Sequence, residues 1–224
     1  MTIRRFIFRT YTMLFHPGLF SGGNVVLRSK VIGAKGNSLV MKRSLLKRSA
    51  IKFQGEGHTV DLGRCSLCNA DIFLRGKGHR LVIEDDCQIF NLRIKIIGEN
   101  NEVHIGKSSS FDGGNIISGG KGTHVFIGED CMISEGLDIW STDTHSIFKD
   151  GALMNPPKSI EIGDRVWVGK DVSILKGVTI GDDAVIGMRS LVTKDIKPGT
   201  LNVGSPSKEI LSDISWTRIN PDNE

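Results

Sequence analysis

The sequence predicts an all-β solenoid in which short parallel strands form stacked coils around a narrow core. Two internal repeats and an unusual composition lead to this prediction. Of the 224 residues, 27 are Gly and 58 are Ile, Leu or Val, while aromatic residues make up only 6%. So much aliphatic material can bury a core, which excludes a disordered chain. The length allows one domain with small appendages.

A repeat of 21 or 22 residues runs through the first half of the chain. The segments GEGHTVDLG, GKGHRLVIE, GENNEVHIG and GKGTHVFIG begin at Gly55, Gly76, Gly98 and Gly120, and a weaker copy begins at Gly33. Such constant spacing is typical of a solenoid, because each coil can bury its apolar side chains only against neighbouring coils.

A shorter repeat of six residues follows, and aliphatic residues mark it at Ile162, Val168, Ile174, Ile180, Ile186 and Val192. Six residues fit neither an amphipathic helix nor a simple alternating strand. They fit coils of 18 residues, with three short strands, one inward aliphatic side chain per strand and glycine at the corners. The longer repeats are then 18-residue coils with an excursion at the glycine-rich turn. An ordinary β-sandwich would not hold this register.

The hexapeptide run resembles a known family. The segment IGDRVWVGKDVSILKGVTIGDDAVIGMRSLVTKDI, closed by GSPSK at 204–208, is similar to the left-handed parallel β-helix acyltransferases. The match extends back to Ile127 through IGEDCMISEGLDIWSTDTHSIF and is nearest to the capsular polysaccharide O-acetyltransferases, including those that act on polysialic acid. The resemblance alone implies left-handedness, acetyl-CoA as co-substrate, and a homotrimer with active sites between subunits.

The predicted β-helix domain covers residues 31–208. A helical or irregular segment, 1–30, would cap the solenoid or pack in the trimer, and a short helix and tail would occupy 209–224. Within the β-helix, the polar loop 141–159 interrupts the hexapeptide register, and loops on a rigid scaffold are where function concentrates.

His145 lies at the start of this loop. The resemblance implies a catalytic histidine at this position of a T-x-H segment, although Ser146 follows it where relatives usually have proline. An imidazole with an ordinary pKa of about 6.5 suits a general base that takes the proton of a sugar hydroxyl during attack on a thioester. Direct transfer then needs no acyl-enzyme.

The resemblance implies further site residues. Trp167 matches a tryptophan that assists catalysis or contacts CoA, and its indole N–H would meet the developing oxyanion; packing on a neighbouring subunit is a compatible alternative. Asp143 would orient His145 or be merely solvated, and Trp140 would line the acceptor groove. Besides Trp167, the positions that match the acetyl-CoA groove are Gly169, Lys170, Lys176, Met188 (where relatives carry a small residue), Thr193, Lys194 and Lys208.

Cysteines and the other histidines give weaker signals. Cys131 lies at a repeat position, where a packed thiol is favoured over a nucleophile. Cys65 and Cys68 have the spacing of half a zinc site, but no second pair follows. His58 and His79 recur at one repeat position, which favours a polar ladder over the three-histidine zinc site of γ-type carbonic anhydrases. We therefore expect no metal.

Charge and composition limit the partners. The net charge is +4 and the pI about 8.9, but no dense Lys/Arg run is interleaved with aromatic residues, so a nucleic-acid partner is not expected. Four unevenly spaced cysteines predict a reducing, cytoplasmic location. No apolar run reaches the roughly 18 residues of a membrane span, although residues 1–20 would either cap the solenoid or lie on a membrane surface. The basic pairs at 42–43 and 47–48 would attract an anionic polymer or form a solvated face.

Together these features predict an acetyl-CoA-dependent O-acetyltransferase that modifies a sugar hydroxyl of a bacterial capsular or related surface polysaccharide, with His145 as base. One alternative keeps the fold and changes the acceptor to an amino sugar, an amino acid or an antibiotic. The other is a non-catalytic or zinc-dependent solenoid.

Overall fold

The computed structural model describes residues 23–219, which form 27 β-strands and no helix. Three sheets, named A, B and C, form the sides of a triangular prism, and the chain visits them in that order in every coil. Within these sheets all pairings are parallel except the last one of sheet A. The solenoid prediction is confirmed.

The strands of sheet A are β1 (Val25–Leu27), β4 (Leu45–Lys47), β7 (Ser66–Cys68), β10 (Gln88–Phe90), β13 (Ser110–Phe111), β16 (Met132–Ile133), β21 (Trp167–Val168), β24 (Val185–Ile186), β26 (Leu201–Val203) and β27 (Lys208–Leu211). Those of sheet B are β2 (Lys30–Ile32), β5 (Ala50–Glu56), β8 (Asp71–Lys77), β11 (Leu92–Glu99), β14 (Gly114–Lys121), β17 (Leu137–Trp140), β22 (Ser173–Leu175) and β25 (Leu191–Val192). Those of sheet C are β3 (Ser38–Met41), β6 (Thr59–Leu62), β9 (Arg80–Ile83), β12 (Glu102–Ile105), β15 (His124–Ile127), β20 (Ile160–Ile162) and β23 (Thr179–Ile180). A separate hairpin pairs β18 (Phe148–Lys149) with β19 (Ala152–Leu153).

The hexapeptide positions form the core, as predicted. All six aliphatic residues from Ile162 to Val192 are at most 3% exposed, and they fall in turn on sheets C, A and B. In-register pairing stacks each on its counterpart one coil away, as Ile139, Ile174 and Val192 do in sheet B. The interior is therefore three columns of aliphatic side chains, which leaves little room for aromatic rings.

The 22-residue repeats differ from the 18-residue coils at one edge, between sheets B and C. There β5, β8, β11 and β14 are seven or eight residues long and end in a turn that extends from the prism. Gly55, Gly76, Gly98 and Gly120 stack in register at φ values of 109° to 128°. A Cβ on any of the first three would lie 1.9 to 2.0 Å from the carbonyl oxygen of the next glycine. The conformation and the close approach both require glycine.

These turns carry the predicted polar ladder. In each rung a side chain accepts a hydrogen bond of 2.9 to 3.2 Å from the backbone N–H of the next member, and the members are Asn37, His58, His79, Asn101 and Thr123. His79 also donates from Nε2 to the Arg75 carbonyl oxygen at 2.9 Å. An imidazole that accepts at Nδ1 and donates at Nε2 is neutral, and burial lowers the pKa of both histidines.

The cysteines are free thiols in this structure. Cys65, Cys87 and Cys131 are buried where the chain enters sheet A, and burial raises their pKa values to about 12, 12 and 11 respectively. Such thiols pack and do not act as nucleophiles. Within residues 23–219, no three His, Cys, Asp or Glu side chains are grouped closely enough to hold a metal ion.

The two ends differ from the predicted boundaries. β1 already begins at Val25, inside the segment assigned to a cap, and residues 1–22 lie outside the described part. The predicted C-terminal helix over 209–218 is wrong. Lys208–Leu211 pairs antiparallel with β26, because the open edge of sheet A offers unpaired backbone groups to this segment. Across the described residues, no helix of the length and apolarity needed to cross a membrane is found.

The ladder predicts how stability depends on pH. Because burial lowers the pKa values of His58 and His79 in the folded chain, the unfolded chain takes up protons first as pH falls below about 6.5. The two histidines therefore do not lower the free energy of unfolding above that pH, and the free energy of unfolding decreases as the pH falls below it. The double variant His58→Asn/His79→Asn keeps a side chain that the ladder already uses at other rungs, and it should lose part of this acid sensitivity.

Urea unfolding at about pH 7.5 and about pH 5 measures the effect. The control is His145→Asn, the same substitution in an exposed loop, which should retain the acid sensitivity of the parent. An equal loss of stability on acidification in the double variant and in the parent would show that the ladder histidines are not responsible.

Candidate active site

The interruption of the repeat leaves the solenoid at the edge between sheets B and C. β17 ends at Trp140 and β20 begins at Ile160, so the segment between them corresponds to the predicted loop 141–159. Its outer part is the β18–β19 hairpin. The backbone N–H of Lys158 donates to the Ser141 carbonyl oxygen at 2.9 Å and closes the base of the loop.

One half-buried lysine attaches this loop to the next coil. Lys176 follows β22 at the same edge, forms an ion pair with Asp143, and donates to the Asn155 carbonyl oxygen at 3.1 Å. Hydrogen bonds from Lys176 and then from Asn155 lower the pKa of Asp143. The sequence assigns Lys176 to the cofactor groove and Asp143 to the orientation of His145. In the structure the two groups form the ion pair that attaches the loop to the next coil.

Asn155 connects the two arms of the loop. Its Nδ2 donates to the Asp143 carboxylate and to the His145 carbonyl oxygen, both at 2.8 Å, while its Oδ1 accepts from the backbone N–H of Ile147 at 2.6 Å. The amide thus uses its acceptor and both donors within the loop. The sequence analysis missed this residue. Its signal is weak, since an asparagine before Pro156 indicates a turn without revealing which backbone groups it binds.

His145 occupies a constrained backbone position with a free side chain. Its N–H donates to the Asp143 carbonyl oxygen at 2.7 Å, and Thr144 between them has a φ of 61°. The imidazole is exposed and makes no hydrogen bond to any of the described residues. Its backbone is therefore held while both ring nitrogens remain available to a substrate.

Several other predicted residues share this edge. Trp140 is 36% exposed and pairs with Leu175 in the next coil. Thr193 and Lys194 follow Val192 at the end of β25, one coil beyond Lys176. We call Trp140, Thr193 and Lys194, together with His145 and Asp143, the loop-edge group.

The remaining predicted residues lie on sheet A and its edge with sheet B. Trp167 is 37% exposed between Met132 and Val185, and its indole N–H has no hydrogen-bond acceptor within the described part of the chain. A Cβ on Gly169 would lie 2.7 Å from the Met188 backbone nitrogen. We call this set the sheet A group, which consists of Trp167, Gly169, Lys170 (ion-paired with Glu135), Met188 and Lys208.

The C-terminal segment adds two residues that sequence reasoning missed, because it was predicted to be a helix. The Trp216 ring lies 6.0 Å from that of Trp167, and its indole nitrogen donates to the Arg165 carbonyl oxygen at 2.6 Å. Arg218 binds the Asp130 carboxylate and the Cys131 carbonyl oxygen, both at 2.8 Å. Residues 212–219 therefore cross several coils beside Trp167.

A single chain does not bring the two groups together. The edge between sheets B and C lies across the triangular section from sheet A, and the contacts of Lys176 at the loop base are made at that edge. His145 and Trp167 consequently face opposite sides of one solenoid.

Comparisons with known proteins place this geometry in context. The family described as bacterial transferase hexapeptide (six repeats) matches residues 159–194. The polysialic acid O-acetyltransferase of Neisseria meningitidis is 32% identical over 137 residues, which is 60% of this chain and 63% of that protein. A galactoside O-acetyltransferase of Escherichia coli is 40% identical over 89 residues, 38% of this chain and 43% of that protein. The chain thus spans less than two thirds of these curated relatives.

Solved structures match over a longer stretch. The polySia-specific acetyltransferase NeuO is 29% identical with a TM-score of 0.75, covering 89% of this chain and 91% of that one. The polysialic acid O-acetyltransferase OatWY is also 29% identical, with a TM-score of 0.78, covering 86% of this chain and 91% of that one.

The Asn155 contacts predict a local effect of its removal. Asn155→Ala deletes the bonds to His145, Ile147 and Asp143, so amide hydrogen exchange across 143–155 should accelerate by about tenfold or more. The melting temperature should change little, because the loop lies outside the core. Asp150→Asn, at the tip of the same loop, is the control and should leave exchange unchanged. Equal exchange in Asn155→Ala and the parent would refute the role of Asn155.

Proposed function

We propose that this chain, a hexapeptide-repeat protein whose left-handed parallel β-helix is similar to those of NeuO and OatWY, transfers an acetyl group from acetyl-CoA to a hydroxyl of a polysaccharide. The observation that carries the proposal is the exposed, unpaired imidazole of His145 on a backbone fixed by Asn155. The names of several relatives, all O-acetyltransferases, support the reaction class.

In the proposed reaction, His145 takes the proton of the acceptor hydroxyl as its oxygen attacks the thioester carbonyl. The new C–O bond forms as the carbonyl becomes an oxyanion, and the indole N–H of Trp167 donates to that oxyanion. Collapse breaks the C–S bond, and the leaving thiolate receives the proton from the imidazolium. The buried thiol of Cys131 has no part in this transfer.

Because His145 and Trp167 face opposite sides of one solenoid, we propose that the site forms between chains, with the loop-edge group of one facing the sheet A group of the next. A cyclic trimer closes three such contacts. Lys194 and Lys208 suit the phosphates of CoA, since within residues 23–219 neither forms an ion pair. Lys170 is already bound to Glu135.

The acceptor is proposed from chemistry and from relatives. Trp140, partly exposed at the base of the loop, offers an apolar surface to a sugar ring. Polysialic acid O-acetyltransferases of Neisseria meningitidis and of Escherichia coli O1:K1 are among the relatives, at 32% and 36% identity, so we propose a bacterial capsular or related surface polysaccharide. The free thiols suit a reducing compartment, and hence a cytoplasmic location. Membrane association through residues 1–20 remains a prediction outside the described residues.

The base assignment predicts the behaviour of His145→Ala. Removal of the imidazole should lower acetyl-CoA turnover by about a hundredfold or more. Affinity for CoA should be retained, because no phosphate contact is assigned to His145. Turnover with a panel of polysaccharides and small acceptors, together with calorimetric titration of CoA, measures both quantities.

His104→Ala is the matched control, since His104 lies on sheet C beside Glu84 and away from the loop. It should retain the turnover of the parent. Full activity of His145→Ala would contradict the proposal. If the parent acetylates only small molecules, the acceptor is an amino sugar, an amino acid or an antibiotic and not a polysaccharide.

A further inference from the structure

Positive charge is concentrated at the first coils of the solenoid. Residues 23–53 contain eight Lys and Arg and no Asp or Glu, and the first acidic residue of the chain is Glu56. The whole chain carries 29 basic and 25 acidic residues. The remainder is therefore net negative, and the molecule is strongly polarised along its axis.

The pattern of ion pairs also differs between the faces of the solenoid. In later coils, several cations on other faces and corners contact a carboxylate of an adjacent coil, as Arg64 does with Asp86 at 2.7 Å and Lys107 with Glu129 at 2.8 Å. The outer face of sheet B differs. Among the described residues, no ion pair is formed by four of its cations, which are Lys30, Arg75, Arg93 and Lys95. Lys52 on this face is paired with Asp71 at 2.9 Å.

Strand register arranges this face into a track. Lys52, Phe73, Lys95, Ile117 and Trp140 occupy the same position in five successive strands of sheet B. Neighbouring strands are about 4.8 Å apart, so this row is about 19 Å long. Arg75 and Arg93 flank it two residues to either side, on β8 and β11. The row thus contains two cations, Lys52 and Lys95, and two partly exposed aromatic rings, Phe73 and Trp140.

The row ends at the candidate active site. Trp140 is the last residue before the loop that holds His145, so the row reaches the base of that loop. The other end of the row reaches the first coils, where the chain has no acidic residue.

We propose that the outer face of sheet B is the binding track of an anionic glycan, which the unpaired cations hold while the acceptor unit reaches His145. This proposal rests on the proposed acetyl transfer and adds that the acceptor is negatively charged. Carboxylate or phosphate groups along the glycan pair with Arg75, Arg93 and Lys95, and sugar faces contact Phe73 and Trp140.

The same charges argue against a contact between subunits on this face. Burying unpaired Arg and Lys side chains in a protein interface is costly, so sheet B should stay exposed in the proposed trimer.

The test is direct binding of the full chain to polysialic acid, with neutral dextran of similar length and vesicles of phosphatidylserine and phosphatidylcholine for comparison. The triple variant Arg75→Gln/Arg93→Gln/Lys95→Gln should bind polysialic acid on the order of tenfold more weakly at low salt. The control Arg64→Gln/Arg80→Gln/Lys107→Gln removes the same charge from sheet C and the corner between C and A, and should change binding less than about twofold.

Equal binding by the two triple variants, or binding of dextran as strong as that of polysialic acid, would overturn the proposal. So would binding to vesicles without binding to the polymer, which would make the face a lipid-binding surface. Binding is measured without turnover, so its outcome is separate from that of the proposed reaction. If the chain binds polysialic acid through this face but acetylates no acceptor, the acetyl transfer fails while the glycan track stands.

Discussion

Each coil of this solenoid must repeat the backbone path of the coil beside it, because the backbone hydrogen bonds run between coils. This stacking constraint determines which residues each position accepts. At Gly55 and Gly76, the carbonyl oxygen of the next coil occupies the place of a Cβ. Inside the prism, the same constraint aligns aliphatic side chains in columns, so a composition rich in Gly, Ile, Leu and Val follows directly.

The candidate catalytic residue His145 lies where the stacking of coils is interrupted. The loop after Trp140 is bound by no neighbouring coil along most of its length, and its shape depends on side chains at its base. Lys176 is supplied by the coil that follows, and Asn155 by the returning arm. The regular scaffold therefore positions the irregular segment, and His145 obtains a fixed backbone without losing the freedom of its imidazole. Trp167 lies on sheet A, on the opposite side of the same solenoid.

Features that follow from periodicity could be predicted from the sequence, including the inward residues from Ile162 to Val192, the ladder through His58 and His79, and the limits of the loop. Each depends on a residue repeating what its counterpart does one coil away. Features that occur once could not be predicted. Asn155 binds groups that only the folded loop brings near, and Lys208–Leu211 pairs with a sheet edge whose availability depends on where the solenoid ends. Which cations of sheet B are unpaired could not be predicted either, because it depends on which charges face each other in the folded chain.

The most direct test of a site formed between chains is complementation in mixed oligomers. His145→Ala and Trp167→Ala would be coexpressed with different affinity tags, and acetyl transfer would be measured on doubly tagged oligomers against each variant alone. If the loop-edge group of one chain works with the sheet A group of the next, every mixed trimer contains one intact site in three, so doubly tagged oligomers should recover about a third of the parent activity. Doubly tagged oligomers that are no more active than the separate variants would contradict a site shared between chains.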